Sequence, residues 1–343
     1  MTETANLLRE TAMRLFEGAL TPNLRRDAAA GNWPEAVWSD IDASGLARPF
    51  GHGGDMSWRD LFGVIWASGY HAAPVPLAET IAADFLLARA DLAAPPGPLA
   101  GADVSFSRAI RRDEGCVVSA EIAMVPWARR LAGVVAEATF DGAAYLIFLP
   151  NGAYQTEEGS NLAGEARDRI RFDRTFAPTA PLPHPGMVRD VCAAVRAAQI
   201  SGALDWLVEH SARYANERTQ FGRPIGKFQA IQHQLAVLAC EAAAARVAAT
   251  AAFAALDRGE AGFEVAVAKL RASEAAGRGA AIAHQVHGAI GFTDEHALHH
   301  RTQRLWSWRS ENGNEAFWAE RLGAVAFDAG ADGLWPLLTA RHR

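Results

Sequence analysis

Arg213-Tyr-Ala-Asn-Glu-Arg-Thr-Gln-Phe-Gly-Arg-Pro-Ile-Gly-Lys-Phe-Gln-Ala-Ile-Gln-His-Gln-Leu-Ala236 carries more information than any other stretch of this chain. Apolar residues recur at helical spacing on both sides of it. Val188, Val191, Val195, Ala198 and Gly202 form one stripe before it. Ile231, Leu235, Leu238, Ala242, Ala245, Ala249, Ala252 and Leu256 form another after it, in steps of three and four. Stripes sustained over so many turns predict antiparallel helices in a bundle, and the small residues allow close approach. The segment between them offers Arg218, whose fork of donors matches phosphate oxygens, and Phe221 and Phe228, which can cover flat aromatic groups. A plainer reading pairs Arg218 with a surface carboxylate and buries the phenylalanines.

A second segment, Gln285-Val-His-Gly-Ala-Ile-Gly-Phe-Thr-Asp-Glu295, follows some sixty residues on. Its Gly288 and Gly291 permit close backbone approach at a helix end. In this order and spacing the two segments resemble the acyl-CoA dehydrogenase family. The first matches that family's Arg-x-x-Phe-Gly-x-x-Ile and the second its Gln-x-x-Gly-Gly-x-Gly-Tyr-Thr. The resemblance implies a mostly α fold with a small β domain. It places an N-terminal helical domain at 1–102, a reduced middle β domain at 103–178, and a C-terminal four-helix bundle with FAD-binding segments at 186–343. It also implies FAD bound where subunits meet. Arg218, Gln220 and Phe221 fall on positions that hold the FAD diphosphate, and Ile225, Phe228 and Ile231 on positions near the adenine. Gln285 and Ala289 fall where a second subunit closes over the cofactor, with Ala289 in place of the usual second glycine, and Gly288 is counted among the cofactor-binding positions.

The family removes the α-proton of an acyl thioester with a carboxylate while the flavin takes hydride from the β-carbon, so a carboxylate must reach the α-carbon. Counting from Gln285, the usual base position falls on Asn312, followed by Gly313-Asn314. Asn cannot accept that proton. The position used by a subset of the family falls near Cys192, with Asp190 the nearest carboxylate. Either Glu311 is the base after a one-residue shift, or the chain has none. Glu311 and Glu315 equally suit the start of a last helix, where negative charge is favoured. The β domain is also short. The family's Thr-Glu-x-x-x-Gly-Ser-Asp run has no counterpart, and Val118 to Trp127 only echoes the flavin-facing segment.

A short β domain without a base resembles one chain of heteromeric acyl-CoA dehydrogenases, in which a partner supplies the base. That resemblance implies an acyl-CoA substrate, with steroid side chains among the bulky possibilities, and electron-transferring flavoprotein or oxygen as acceptor. Two other readings stay open: a self-sufficient homo-oligomer using Glu311, and a flavin-free interaction or structural subunit on the same scaffold.

The rest of the sequence frames these motifs. Its 343 residues allow two or three domains. Half are apolar and 21% charged, which is ordinary for a globular protein. A formal net charge of −6 weighs against general nucleic-acid binding. No uninterrupted apolar run reaches the ~18 residues of a membrane span; Ala242 to Leu256 carries Arg246. The start lacks the pattern of a signal peptide, and Cys116, Cys192 and Cys240 are odd in number and far apart, so a cytoplasmic, reducing location is expected.

Proline-rich stretches at 93–101 and 177–186 read as linkers. Leu7 to Leu20 and Trp58 to Gly69 read as helices, separated by the loop Pro49 to Asp55, which lacks phosphate-loop spacing. Cys116 to Ser119, Leu131 to Val135 and Tyr145 to Leu149 read as strands, with a hairpin at Asp141-Gly142. Gly259 and Gly262 mark a stop before a helix near Phe263 to Ala289, and a last helix begins near Asn314. His284, His287, His296, His299 and His300 lack the Glu of a His-Glu-x-x-His zinc motif. Trp306, Trp308 and Trp318 suit an acyl pocket, a subunit interface or ordinary packing.

Overall fold

The computed structural model describes residues 2–51, 56–106, 109–112, 115–293 and 295–340. The Gly53–Gly54 pair of the predicted loop lies outside the described residues. Five helices come first: α1 (Glu3–Ala19), α2 (Pro22–Ala29), α3 (Glu35–Ala43), α4 (Trp58–Tyr70) and α5 (Leu77–Arg89). Their starts are chemically marked. Thr2, Thr21 and Ser57 each accept a backbone N–H of the first turn, and Pro22 occupies the first helical position of α2, where a missing N–H costs nothing.

Seven strands follow: β1 (Leu99–Phe106), β2 (Ile110–Arg112), β3 (Gly115–Pro126), β4 (Gly133–Phe140), β5 (Ala143–Pro150), β6 (Gln155–Glu157) and β7 (Arg167–Pro181). They form one sheet in the order β1-β4-β5-β7-β3-β2, with β6 also on β7. Among the described residues only β1 and β4 pair in parallel. The Asp141-Gly142 hairpin forms as the dipeptide predicts. Both residues have positive φ, 50° and 82°, the left-handed geometry that lets β4 turn directly into β5.

The first proline-rich stretch ends inside this sheet and the second begins inside it. β1 begins at Leu99. β7 continues through Pro178 and Pro181, pairing Gly115 with Pro178 on one side and Tyr145 with Pro181 on the other. Proline removes a ladder donor but is tolerated at a strand end. β7 thereby links the two halves of the sheet.

The C-terminal part consists of α6 (Met187–Glu217), α7 (Gln229–Arg258), α8 (Gly262–His287), α9 (Leu298–Trp308) and α10 (Glu315–Ala340). A small hairpin, β8 (Thr219–Gln220) and β9 (Arg223–Pro224), joins α6 to α7. The predicted stripes face inward: Val188, Val191, Val195 and Ala198 of α6 and Leu238 through Ala252 of α7 are buried. Ile231, Leu235 and Leu256 are half-buried. Gly259 ends α7 in the left-handed conformation, φ 82°, as its place in the sequence suggests. α10 kinks at Gly330.

By length and composition α6 and α7 could each cross a membrane, although no uninterrupted run does so in sequence. The apolar window of α6 is 89% buried within the protein and that of α7 33%. α6 packs against α4, α7 and α8 at once.

The tightest contact in the fold is between α4 and α6. A Cβ on Gly69 would lie 2.0 Å from the Gln199 carbonyl oxygen, and one on Gly202 would lie 2.0 Å from that of Trp66. Each helix therefore presents a glycine to the other's backbone. Replacing Gly202 by Val should cost at least about 3 kcal/mol through overpacking. Chemical denaturation measures this, and an unchanged midpoint would show that the helices can separate freely.

Candidate functional site

The two sequence segments that resemble cofactor-binding motifs meet on one face of a single chain. The turn of the β8–β9 hairpin is Phe221-Gly222, with φ 52° and 79°, and it projects Phe221 outward, 90% exposed. Phe228 stands edge-on to Phe221, and the Arg223 guanidinium lies 4.3 Å from the Phe228 ring centre. α8 ends at Gly288, whose φ of 66° no side-chain-bearing residue adopts without strain. Arg218, Gln220, Phe221, Ile225, Phe228, Ile231, Gln285, Gly288 and Ala289 all line one open pocket of about 500 Å³. Gln285 and Ala289 thus line the same pocket as Arg218 on one chain.

The pocket combines one guanidinium, Arg218, with apolar and aromatic walls. Arg218 has no ion pair among the described residues, so the surface-carboxylate reading is not realised. The wall includes Tyr214 and His287, stacked with ring centres 4.6 Å apart. His287 Nδ1 lies 2.8 Å from the Ala283 carbonyl and must donate to it. Nε2 is then a lone-pair acceptor, and it is buried without a partner. Burial also lowers the His287 pKa, which keeps the ring neutral. His284 contacts Thr302 Oγ1 at 3.0 Å and stacks between Phe292 and Trp306. Among the described residues no three His, Cys, Asp or Glu side chains are grouped as a metal would require.

A second cavity, of about 410 Å³, lies between β1, β3, α5, α6 and the turn after α9. Both positions where the family carries a base sit on its wall. Asn312 Nδ2 donates to the Cys192 carbonyl at 3.4 Å, so the two positions are in contact and neither holds a carboxylate. Asp190 is turned away, paired with Arg321. The flavin-facing echo, Val118 to Trp127, reaches this wall through Ile122 to Pro126.

Glu311 also reaches the cavity, but it is fully engaged. Oε1 accepts from Arg167 Nε at 2.9 Å, and Oε2 from Arg167 Nη2 at 3.2 Å. Arg196 Nη2 lies 2.8 Å from the same Oε2. Burial alone would raise this carboxyl, but the two guanidiniums outweigh it and hold the pKa down to about 2. The network continues. Arg196 Nη2 binds Glu79 at 2.7 Å, Arg167 Nη2 binds Glu165 at 3.1 Å, and Arg304 Nε binds Glu165 at 3.1 Å. Trp308 Nε1 adds a bond to Glu165 at 2.9 Å. Three carboxylates and three guanidiniums therefore share one buried cluster.

The sequence reading missed Glu79, Glu165, Arg167 and Arg196. They come from three separate segments and form no spaced motif. Glu315, not Glu311, opens α10, and it pairs with Arg309. Trp308 and Trp318 are buried packing residues, and Trp318 Nε1 holds the Asn312 carbonyl at 3.1 Å. Only Trp306 is exposed. Lys269, also missed, is fully buried and donates to the carbonyls of Arg309 and Gly313 and to Ser273 Oγ, at 2.8–3.0 Å. It clamps the turn that carries Glu311 and Asn312.

Comparison with known proteins agrees with this geometry. The family model "Acyl-CoA dehydrogenase, C-terminal domain" matches residues 191–323. The acyl-CoA dehydrogenase IpdE2 of Mycobacterium tuberculosis (strain ATCC 25618 / H37Rv) is 32% identical over 311 residues, 87% of this chain and 89% of its own. Two solved structures share the fold. A variant of the Tcur3481-Tcur3483 steroid ACAD superposes with TM-score 0.88 at 24% identity, covering 96% of this chain and 99% of that one. The ChsE4-ChsE5 complex from Mycobacterium tuberculosis superposes with TM-score 0.87 at 20% identity, with the same coverage.

The charge cluster makes two predictions. Arg196→Met strips Glu79 and Glu311 of a shared cation and should cost about 3–5 kcal/mol in urea unfolding. The Glu311 carboxyl titrates lower in the folded protein than in the unfolded chain. Its stabilisation, on the order of 3 kcal/mol, is present above about pH 4.5 and is lost as pH falls toward 2. Glu311→Gln should flatten that acid limb of the stability profile. An identical limb in the variant would place the titration elsewhere.

Proposed function

The chain belongs to the acyl-CoA dehydrogenase family of oxidoreductases, and on that premise we propose that it works as one subunit of a heteromeric, FAD-dependent acyl-CoA dehydrogenase whose partner chain supplies the catalytic base. One observation carries this reading. Both base positions on the wall of the cleft, Asn312 and Cys192, lack a carboxylate, and the neighbouring Glu311 is held by two guanidiniums. A general base must be free to take a proton and must have a pKa not far below the working pH. A carboxylate held near pKa 2 and gripped on both oxygens meets neither condition. The self-sufficient reading would require Glu311 to give up its bonds to Arg167 and Arg196 in a buried site, which is costly.

FAD, when bound, supplies the hydride-accepting ring of the dehydrogenation. This chain's contribution is to hold the other end of the cofactor. Arg218 offers the diphosphate a fork of donors in a place free of competing carboxylates. Ile225, Phe228 and Ile231 give the adenine an apolar bed, and Gly288 lets backbone approach where a side chain would stand. Phe221, exposed on its hairpin, is covered once cofactor and partner are in place. The retained pocket speaks against the flavin-free reading.

The substrate proposed is a bulky acyl-CoA, with the steroid class suggested by the "steroid ACAD" structure of the same fold. The acceptor proposed is electron-transferring flavoprotein. The three cysteines are all free, which suits a reducing compartment.

The test begins with the visible spectrum of the purified chain, alone and co-expressed with a candidate partner chain. Flavin should be retained in the complex, at one FAD per two chains, and Arg218→Ala should remove it. Glu311→Gln in the complex should change acyl-CoA reduction of the flavin by less than about twofold. A homo-oligomer of this chain alone with full turnover would sink the proposal, as would a loss of 100-fold or more in Glu311→Gln.

A further inference from the structure

A trough of about 920 Å³ runs between α1, α4 and α7 and shares no lining residue with the cleft or the cofactor pocket. Its size is that of a site for a mid-sized organic ligand, roughly 300–1,000 Å³. Small residues, Ala5, Gly63 and Ala251, leave the floor low, while Phe62, Trp66 and Phe253 supply apolar walls. Phe62 and Phe253 meet edge-to-face at 5.2 Å, so that wall is rigid.

The trough is apolar apart from its charged groups, and these are unequal. Asp60 accepts from Ser57 and Thr2. Arg246 pairs with Asp205 at 3.0 Å, and Arg59 lies 3.8 Å from Asp257. Arg9 differs from these. A Cβ at Gly63 would lie 2.7 Å from Arg9 Cβ, so the arginine stem crosses the place where a side chain would stand. Its guanidinium has no ion pair among the described residues, and its Nε is buried without any acceptor. A partly desolvated cation beside an apolar floor calls for an anion that carries hydrocarbon.

We infer that this trough binds an amphipathic carboxylate, its single anionic head on Arg9 and its hydrocarbon body along Phe62, Trp66 and Phe253. The ligand chemistry has two sources, a fused-ring acid and a straight-chain acid. Titration calorimetry of the full-length chain with cholate and with laurate, each below its micelle concentration, tests it. At least one should bind with Kd below about 1 mM. Cholate alone assigns a fused-ring body, and laurate alone a chain. Arg9→Gln should weaken binding about tenfold or more, as loss of a charge-assisted hydrogen bond does. Ala251→Trp, which fills the floor, should abolish binding while the circular dichroism spectrum stays native. The inference is overturned if neither acid binds, or if binding persists undiminished in both variants. It is equally overturned if Ala251→Trp leaves binding intact and instead lowers the oligomeric mass by light scattering, which would make the trough a contact between chains.

Discussion

Six buried charges that sum to zero hold the three parts of this chain to one another. Glu79 belongs to α5, Glu165 and Arg167 to the start of β7, Arg196 to α6, Arg304 to α9, and Glu311 to the turn before α10. The cluster ties the N-terminal helices, the sheet and the bundle together at one point. Its geometry answers the main objection to burying charge. Desolvating an ion costs several kcal/mol, and attraction repays this only when each charge also has its hydrogen bonds. Here Arg167 serves two carboxylates, and Glu165 receives two guanidiniums and an indole N–H.

The sequence makes the bundle legible and hides this cluster, for one physical reason. A helix stripe is a local pattern: the spacing of Leu238, Ala242, Ala245 and Ala249 is set by the 3.6-residue turn, whatever packs against it. The cluster is assembled by tertiary folding from distant residues, each of which looks like an ordinary surface charge in its own neighbourhood. Glu311 shows the limit most clearly. Its sequence position suggests a base or a helix-opening acid; Glu315 opens α10 instead, and only the approach of Arg167 and Arg196 shows how Glu311 is engaged. The prolines misled in the opposite sense. Pro178 and Pro181 read as a linker because they remove donors, yet β7 can carry them at its end.

The pocket around Arg218 was legible because its members fall on two short, contiguous segments. The sequence reading assigned those segments to different subunits around one cofactor, and the two segments line one pocket of a single chain. The left-handed Phe221-Gly222 turn and the positive φ of Gly288 bring them together, since each reverses the chain at the neighbouring ends of the bundle helices. The unpartnered Nε2 of His287 at the same wall had no signature in sequence. Its meaning depends on the Ala283 carbonyl having claimed the other ring nitrogen.

Acting as a base and joining a charge cluster make opposite demands on a carboxylate. A catalytic carboxylate in a closed cleft must keep a pKa that lets it exchange a proton, so guanidiniums cannot crowd it. A carboxylate that joins three parts of a fold needs those guanidiniums and is thereby fixed in its charged form. The Asn312 side chain, hydrogen-bonded to the Cys192 carbonyl, and Lys269, clamping the turn from below, fix the same segment further. Burial lowers the Lys269 pKa to about 7, yet all three of its donors are matched, so its hydrogen bonds favour the charged form that burial opposes. A turn held by so many bonds is rigid, which fits the proposed role of a subunit that holds a cofactor for a neighbour.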